Sequence, residues 1–140
     1  MVIQQLVTQK NLQQHVHLLG RINDILLEQL YAGSDLFIMP NLPLAGDAEG
    51  FGFVAIEAAA AGLPVMASNI EGIPSAIHHQ KNGLLLPSGN ARAYIQAIHS
   101  FADEKKRIVF GKQAQEYTLQ HFQWKQVVEQ YQTLFTQITL

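Results

Sequence analysis

Two carboxylates eight residues apart flank a glycine-punctuated turn, and this arrangement could carry chemistry. Glu49 precedes the turn Gly50-Phe51-Gly52, and Glu57 follows it inside an alanine-rich segment. Glycines let a backbone approach a ligand closely, and a helix that begins near Gly52 offers its free backbone N–H groups to an anion. Carboxylates bind phosphate poorly but accept hydrogen bonds from sugar hydroxyls. The pattern therefore indicates a site for a ribose, a sugar and the diphosphate that joins them.

The same two carboxylates could instead serve as the acid and the base of a glycosidase. Eight residues of helix rise about 12 Å at about 1.5 Å per residue. Glycosidase carboxylates lie about 5–9.5 Å apart across the scissile bond. A position of Glu49 outside the helix would shorten the distance to Glu57, so this interpretation stays open as the less favoured one.

The elements that must position these residues alternate between short apolar runs and helical patterns. The run 36–39 is apolar on both faces, which is typical of a parallel strand covered on both sides,. The alternation of strands and helices favours an α/β sheet with right-handed crossovers. Loop 40–50, which carries Glu49, follows the carboxyl end of a strand, where ligands gather in such sheets. Strands are predicted at 15–19, 35–39, 64–67 and 83–86; helices are predicted at 2–13, 23–33, 52–61, 91–101, 103–120 and 124–139, with a helical turn at 74–79,.

Composition excludes several classes of function. The chain has 140 residues, 48% of them hydrophobic, and a net charge of −2 without a basic block, which argues against binding nucleic acid through its phosphates,. Cysteine is absent and the six histidines are scattered, so no disulfide or zinc ribbon is expected,. No apolar run approaches the roughly 18 residues that span a bilayer. We therefore expect a globular cytoplasmic protein without a transmembrane segment or a bound metal.

Motifs along most of the chain resemble the C-terminal, donor-binding domain of the family-4 (group 1) retaining glycosyltransferases, which have the GT-B fold. The resemblance covers roughly residues 10–138. It implies an α/β, Rossmann-like, three-layer parallel sheet, the incomplete C-terminal half of a GT-B fold with about four strands. The matching segments are Val16–Gly20, Tyr31–Pro40, Glu49–Phe53, Glu57-Ala58, Ala61–Val65, Gly72–Pro74, Asn82–Leu85 and Phe122–Trp124.

The resemblance also implies roles for the residues of the turn. Glu49 is the catalytic-site carboxylate that accepts hydrogen bonds from the donor sugar. Residues Gly50, Phe51, Gly52 and Phe53 meet the sugar or the diphosphate through their backbone amides. Together they would bind the donor of a hexose-type sugar that is transferred to an acceptor.

Two further residues are assigned to the nucleotide by the same resemblance. Glu57 binds the ribose hydroxyls, and Arg21 lies where such domains meet the base. No cofactor or divalent metal is implied, because protein cations and a helix terminus neutralise the diphosphate in this fold. The expected small-molecule partner is a nucleotide sugar.

The chain also departs from the family pattern. We expect residues 1–140 to form one partial domain without the acceptor domain of the family, and residues 1–14 contain only Lys10 in place of an Arg and Lys diphosphate motif. We expect strand 15–19 either to pair with strand 35–39 or to leave an exposed edge that recruits another chain. That chain would be a second copy or a separate N-terminal half. A binding or interaction module without catalytic turnover remains an alternative.

Overall fold

A computed structural model describes residues 2–44, 46 and 50–138, apart from the side chains of Gln126 and Gln130. The chain divides into two compact units, Met1–Leu30 and Tyr31–Leu140. The elements are α1 (Val2–Gln9), α2 (Asp24–Gly33), β1 (Phe37–Met39), α3 (Phe53–Ala60), β2 (Val65–Ser68), α4 (Ile73–Ala76), β3 (Leu84–Leu86), α5 (Ala91–Ser100), α6 (Glu104–His121) and α7 (Trp124–Ile138).

The sheet of the second unit is parallel and has the order β1-β2-β3. Phe37 pairs with Val65, and Met66 pairs with Leu84. Every residue of β2 is buried, as expected for a central strand with helices on both faces. The predicted α/β fold with a parallel sheet is confirmed.

The two faces of the sheet carry separate apolar cores, because successive side chains of a strand point to opposite faces. Val65 and Ala67 belong to the core that includes α3, α4 and α6, while Met66 belongs to the core formed with α5. Small side chains let α3 lie close to the sheet, since its buried residues are all alanine: Ala55, Ala58 and Ala59. Helix, sheet and helix thus form the three predicted layers.

The prediction of a strand at 15–19 is wrong. Residues 13–15 form a turn and 16–20 have no regular secondary structure. The backbone N–H groups of His15 and Val16 both donate to the carbonyl oxygen of Leu12. A local turn therefore takes backbone donors that a sheet ladder would need, and the described sheet has three strands where four were predicted.

Strand β1 is an edge strand of this sheet. Within the described residues it is bonded to β2 alone, so the predicted pairing with 15–19 is wrong and the predicted edge is present. An edge strand offers unpaired backbone groups to another chain. Recruitment of a second copy or of a separate half stays a prediction.

Side-chain caps begin several helices at the residues that the sequence indicates. The amide of Leu26 donates to Oδ1 of Asn23 at 2.9 Å, and the amide of Ala93 donates to Oδ1 of Asn90 at 3.1 Å. Such caps satisfy backbone N–H groups that have no partner inside the helix. None of the helices in the described part of the chain has the length and apolar character to cross a membrane.

A buried hydroxyl pair ties α5 to the carboxyl ends of two strands. The hydroxyls of Tyr94 and Ser68 lie 2.9 Å apart, and the Tyr94 hydroxyl lies 3.5 Å from the carbonyl oxygen of Met39. Tyr94→Phe should lower the free energy of unfolding by about 1–2 kcal/mol, because it leaves Ser68 without this partner. Urea denaturation followed by circular dichroism measures the change. The control is Tyr131→Phe on the exposed α7, expected within about 0.5 kcal/mol of the parent; equal losses in both variants would contradict the prediction.

Candidate functional site

The N-terminus of α3 lies where the parallel strands end. Its cap residue Gly52 has φ +81° and ψ +46°, a left-handed conformation that favours glycine,. A Cβ placed on Gly52 would lie 3.7 Å from Cε of Met39 and 3.8 Å from Cγ1 of Ile73. The turn therefore lies between the end of β1 and the start of α4, at the helix N-terminus where the sequence predicts an anion,.

Aromatic rings brace this turn from the side. The ring centroid of Phe51 lies 5.1 Å from that of Phe53 and 6.3 Å from that of Phe122, both edge-on. Phe122 ends α6, and its ring also lies 5.9 Å from that of His78. Gly50 is exposed and Phe51 is partly buried. The end of α6 thus holds the backbone of the turn, a contact that spacing along the chain does not predict.

Glu57 lies on the second turn of α3 with an exposed side chain. The hydroxyl of Tyr31 is 3.3 Å from its Oε2 and 3.4 Å from the carbonyl oxygen of Val54. The sequence predicts a helix at 23–33 that includes Tyr31, but it does not predict this contact. The one available signal was a hydroxyl on an otherwise apolar stripe.

The pKa of the Tyr31 phenol is raised to about 12, first by burial and then by the negative charge of Glu57 and their hydrogen bond. The hydroxyl therefore stays protonated at neutral pH and acts as a donor. Because an unfolded tyrosine loses its proton near pH 10, the folded state binds more protons above that pH. This contribution to stability is complete below pH 10 and is lost as the pH rises to about 12,.

Some of the predicted site residues are not brought together here. Glu49 lies outside the described residues, so its catalytic role and the glycosidase alternative stay predictions. Arg21 is exposed in a bend before α2, within the unit Met1–Leu30, and its role toward the base also stays a prediction. Over residues 2–44, 46 and 50–138, no three His, Asp or Glu side chains cluster in a way that could hold a metal ion.

Comparison with known protein families and sequences identifies relatives along most of the chain. Residues 2–117 match the family described as glycosyl transferases group 1. The N-acetyl-alpha-D-glucosaminyl L-malate synthase of Bacillus anthracis is 32% identical over 134 residues, which are 95% of this chain and 33% of that protein. A D-inositol 3-phosphate glycosyltransferase of Corynebacterium urealyticum is 33% identical over 79% of this chain and 26% of its own length. The chain thus spans a third or less of these relatives.

Solved structures with the same fold include nucleotide complexes. Sucrose-phosphate synthase from Thermosynechococcus elongatus superposes with a TM-score of 0.82 at 32% identity, over 98% of this chain and 33% of that one. HepE from Anabaena in complex with UDP and glucose gives 0.81 at 27% identity, over 97% and 36%. The expected incomplete C-terminal half of a GT-B fold is confirmed by these matches. The chain belongs to the group 1 glycosyltransferases.

Proposed function

We propose that this chain forms the donor-binding part of a retaining glycosyltransferase that uses a nucleotide sugar. The observation that carries the proposal is an exposed carboxylate on the same short helix as a glycine-capped N-terminus. Glu57 is exposed on α3, and the N-cap residue of that helix is Gly52. The helix terminus receives the diphosphate, and the carboxylate receives the ribose hydroxyls.

The two parts of the site suit the two chemical halves of a nucleotide. Free backbone N–H groups and the positive end of the helix dipole attract an anion. A carboxylate is an acceptor without donors and therefore matches a pair of hydroxyls. Phe53 and Glu57 are separated by about 6 Å along the helix axis at about 1.5 Å per residue. A single rigid element thus holds both binding groups about one turn apart.

The donor sugar and the catalytic carboxylate are part of the same proposal. HepE is described in complexes with UDP and with UDP-glucose, and a relative in Mycobacterium tuberculosis is a GDP-mannose-dependent mannosyltransferase. These names support a hexose linked to a nucleoside diphosphate as the donor here. Glu49 accepts hydrogen bonds from that hexose, Gly50 to Phe53 face it with backbone amides, and Arg21 meets the base. Catalysis needs an acceptor domain, supplied by further chain or by a partner, and no metal.

Isothermal titration of the protein with UDP, GDP and ADP, followed by UDP-glucose, GDP-mannose and ADP-glucose, tests the proposal. We expect one base to be preferred and the sugar nucleotide of that base to bind at the same site in competition with the diphosphate. Binding should not require Mg²⁺, so titrations with EDTA serve as the control. Absence of binding by all six nucleotides at millimolar concentration would overturn the proposal.

A further inference from the structure

The carboxylate of Glu57 is in contact with a group from outside its own helix. The Tyr31 hydroxyl, contributed by α2, lies 3.3 Å from Oε2 of Glu57. The two residues are 26 positions apart, so the contact depends on the fold of the second unit, to which both belong, rather than on helix periodicity. A hydrogen bond to an ionised acceptor is stronger than one between neutral groups.

The ring of Tyr31 is itself held in place by the core. It is partly buried, packs against the apolar cluster of the sheet, and meets the Phe37 ring of β1 edge-on with centroids 6.0 Å apart. Its hydroxyl also lies 3.4 Å from the carbonyl oxygen of Val54 in the first turn of α3. The donor is therefore anchored on two elements, whereas the glutamate it contacts is exposed and has three rotatable side-chain bonds.

We propose that Tyr31 is a positioning residue that orients the Glu57 carboxylate toward the ribose hydroxyls of the nucleotide. The inference rests on the proposed function, because it assigns a support to the same ribose contact. An ionised carboxylate offers about four lone-pair sites; the phenol engages Oε2, and the remaining sites accept the 2′- and 3′-hydroxyls. Fixing the rotamer before binding lowers the entropy lost when the ribose docks.

The test measures ribose recognition separately from overall affinity. For the tightest binder among UDP, GDP and ADP, the Kd of the diphosphate is compared with that of its 2′,3′-dideoxy counterpart, in the parent protein and in Tyr31→Phe. Phenylalanine keeps the ring packing and removes only the hydroxyl. The Kd of the dideoxy nucleotide divided by the Kd of the diphosphate measures the preference for ribose. We expect this ratio to fall by about three- to tenfold in the variant, the effect of one lost hydrogen bond. Affinity for the dideoxy nucleotide should change little.

Tyr94→Phe is the matched control, because it also removes a hydrogen-bonded tyrosine hydroxyl, one that contacts Ser68 and not Glu57. It should lower stability without changing the ratio. An unchanged ratio in Tyr31→Phe, or equal falls in both variants, overturns the inference and leaves nucleotide binding intact. Absence of ribose preference in the parent overturns the inference and the assignment of Glu57, and absence of any nucleotide binding overturns the proposed function as well.

Discussion

Replacement of Glu57 by glutamine should weaken the binding of the preferred nucleoside diphosphate about 100-fold or more, since hydrogen bonds to a charged group contribute about 1.5–3 kcal/mol each and the proposed site makes two. Glutamine has the same shape but carries no charge and presents one acceptor oxygen beside a donor amide. It cannot accept from both ribose hydroxyls as a carboxylate does. Isothermal titration measures the loss directly.

Glu129→Gln provides the matched control for this change. Glu129 is exposed on α7 and undergoes the same chemical substitution away from the turn at Gly52. The affinity of this variant for the preferred nucleoside diphosphate should stay within about twofold of the parent, because surface substitutions of this kind change free energies by about 0.5 kcal/mol or less. Retention of parental affinity in Glu57→Gln would remove Glu57 from the site. Equal loss in both variants would indicate an effect of net charge alone.

The sequence predicts the secondary structure of the second unit closely and fails where the outcome depends on tertiary partners. Strand β2 was expected at 64–67 and lies at Val65–Ser68, because Gly62 and Pro64 end the preceding helix locally,. The segment 15–19 contains Val16, Leu18 and Leu19 and was also predicted as a strand, yet the Leu12 carbonyl oxygen accepts hydrogen bonds from two of its amides. A short apolar run indicates burial, but it forms a strand only where a neighbouring strand can pair with it.

The candidate site shows the same difference between features set by local sequence and features set by tertiary contacts. The glycine turn and Glu57 are neighbours in sequence, so their positions at the start of α3 follow from helix signals alone. Tyr31 and Phe122 contact Glu57 and Phe51 through the tertiary fold of the second unit, and neither contact has a spacing that could be read along the chain. The groups proposed to bind the donor can thus be predicted from the sequence, whereas the groups that contact and position them are seen only in the fold.

Gly111→Ala should lower the free energy of unfolding by about 3 kcal/mol, the upper part of the range for overpacking a close contact. Gly111 is a buried residue of α6. A Cβ added there would overlap the carbonyl oxygen of Gly62 and lie 3.2 Å from its carbonyl carbon, both backbone atoms that no rotamer change can move. In addition, Nε2 of Gln115 donates to the carbonyl oxygen of Ala60 at 2.8 Å, which fixes α6 against the end of α3. The clash outweighs the roughly 1 kcal/mol that alanine gains over glycine inside a helix.

Gly33→Ala is the control, since a Cβ at the last residue of α2 meets no atom within 4 Å. This variant should be as stable as the parent, or more stable by up to about 1 kcal/mol. Urea denaturation of both variants gives the two free energies of unfolding.

An unchanged urea midpoint in Gly111→Ala would mean that α6 can move away from the Gly62 turn at little cost in free energy. In that case α6 would not set the position of α3, and nucleotide affinity should also be unchanged. A destabilised variant, by contrast, should bind nucleotide more weakly, because the helix that carries Glu57 ends at the turn that α6 holds.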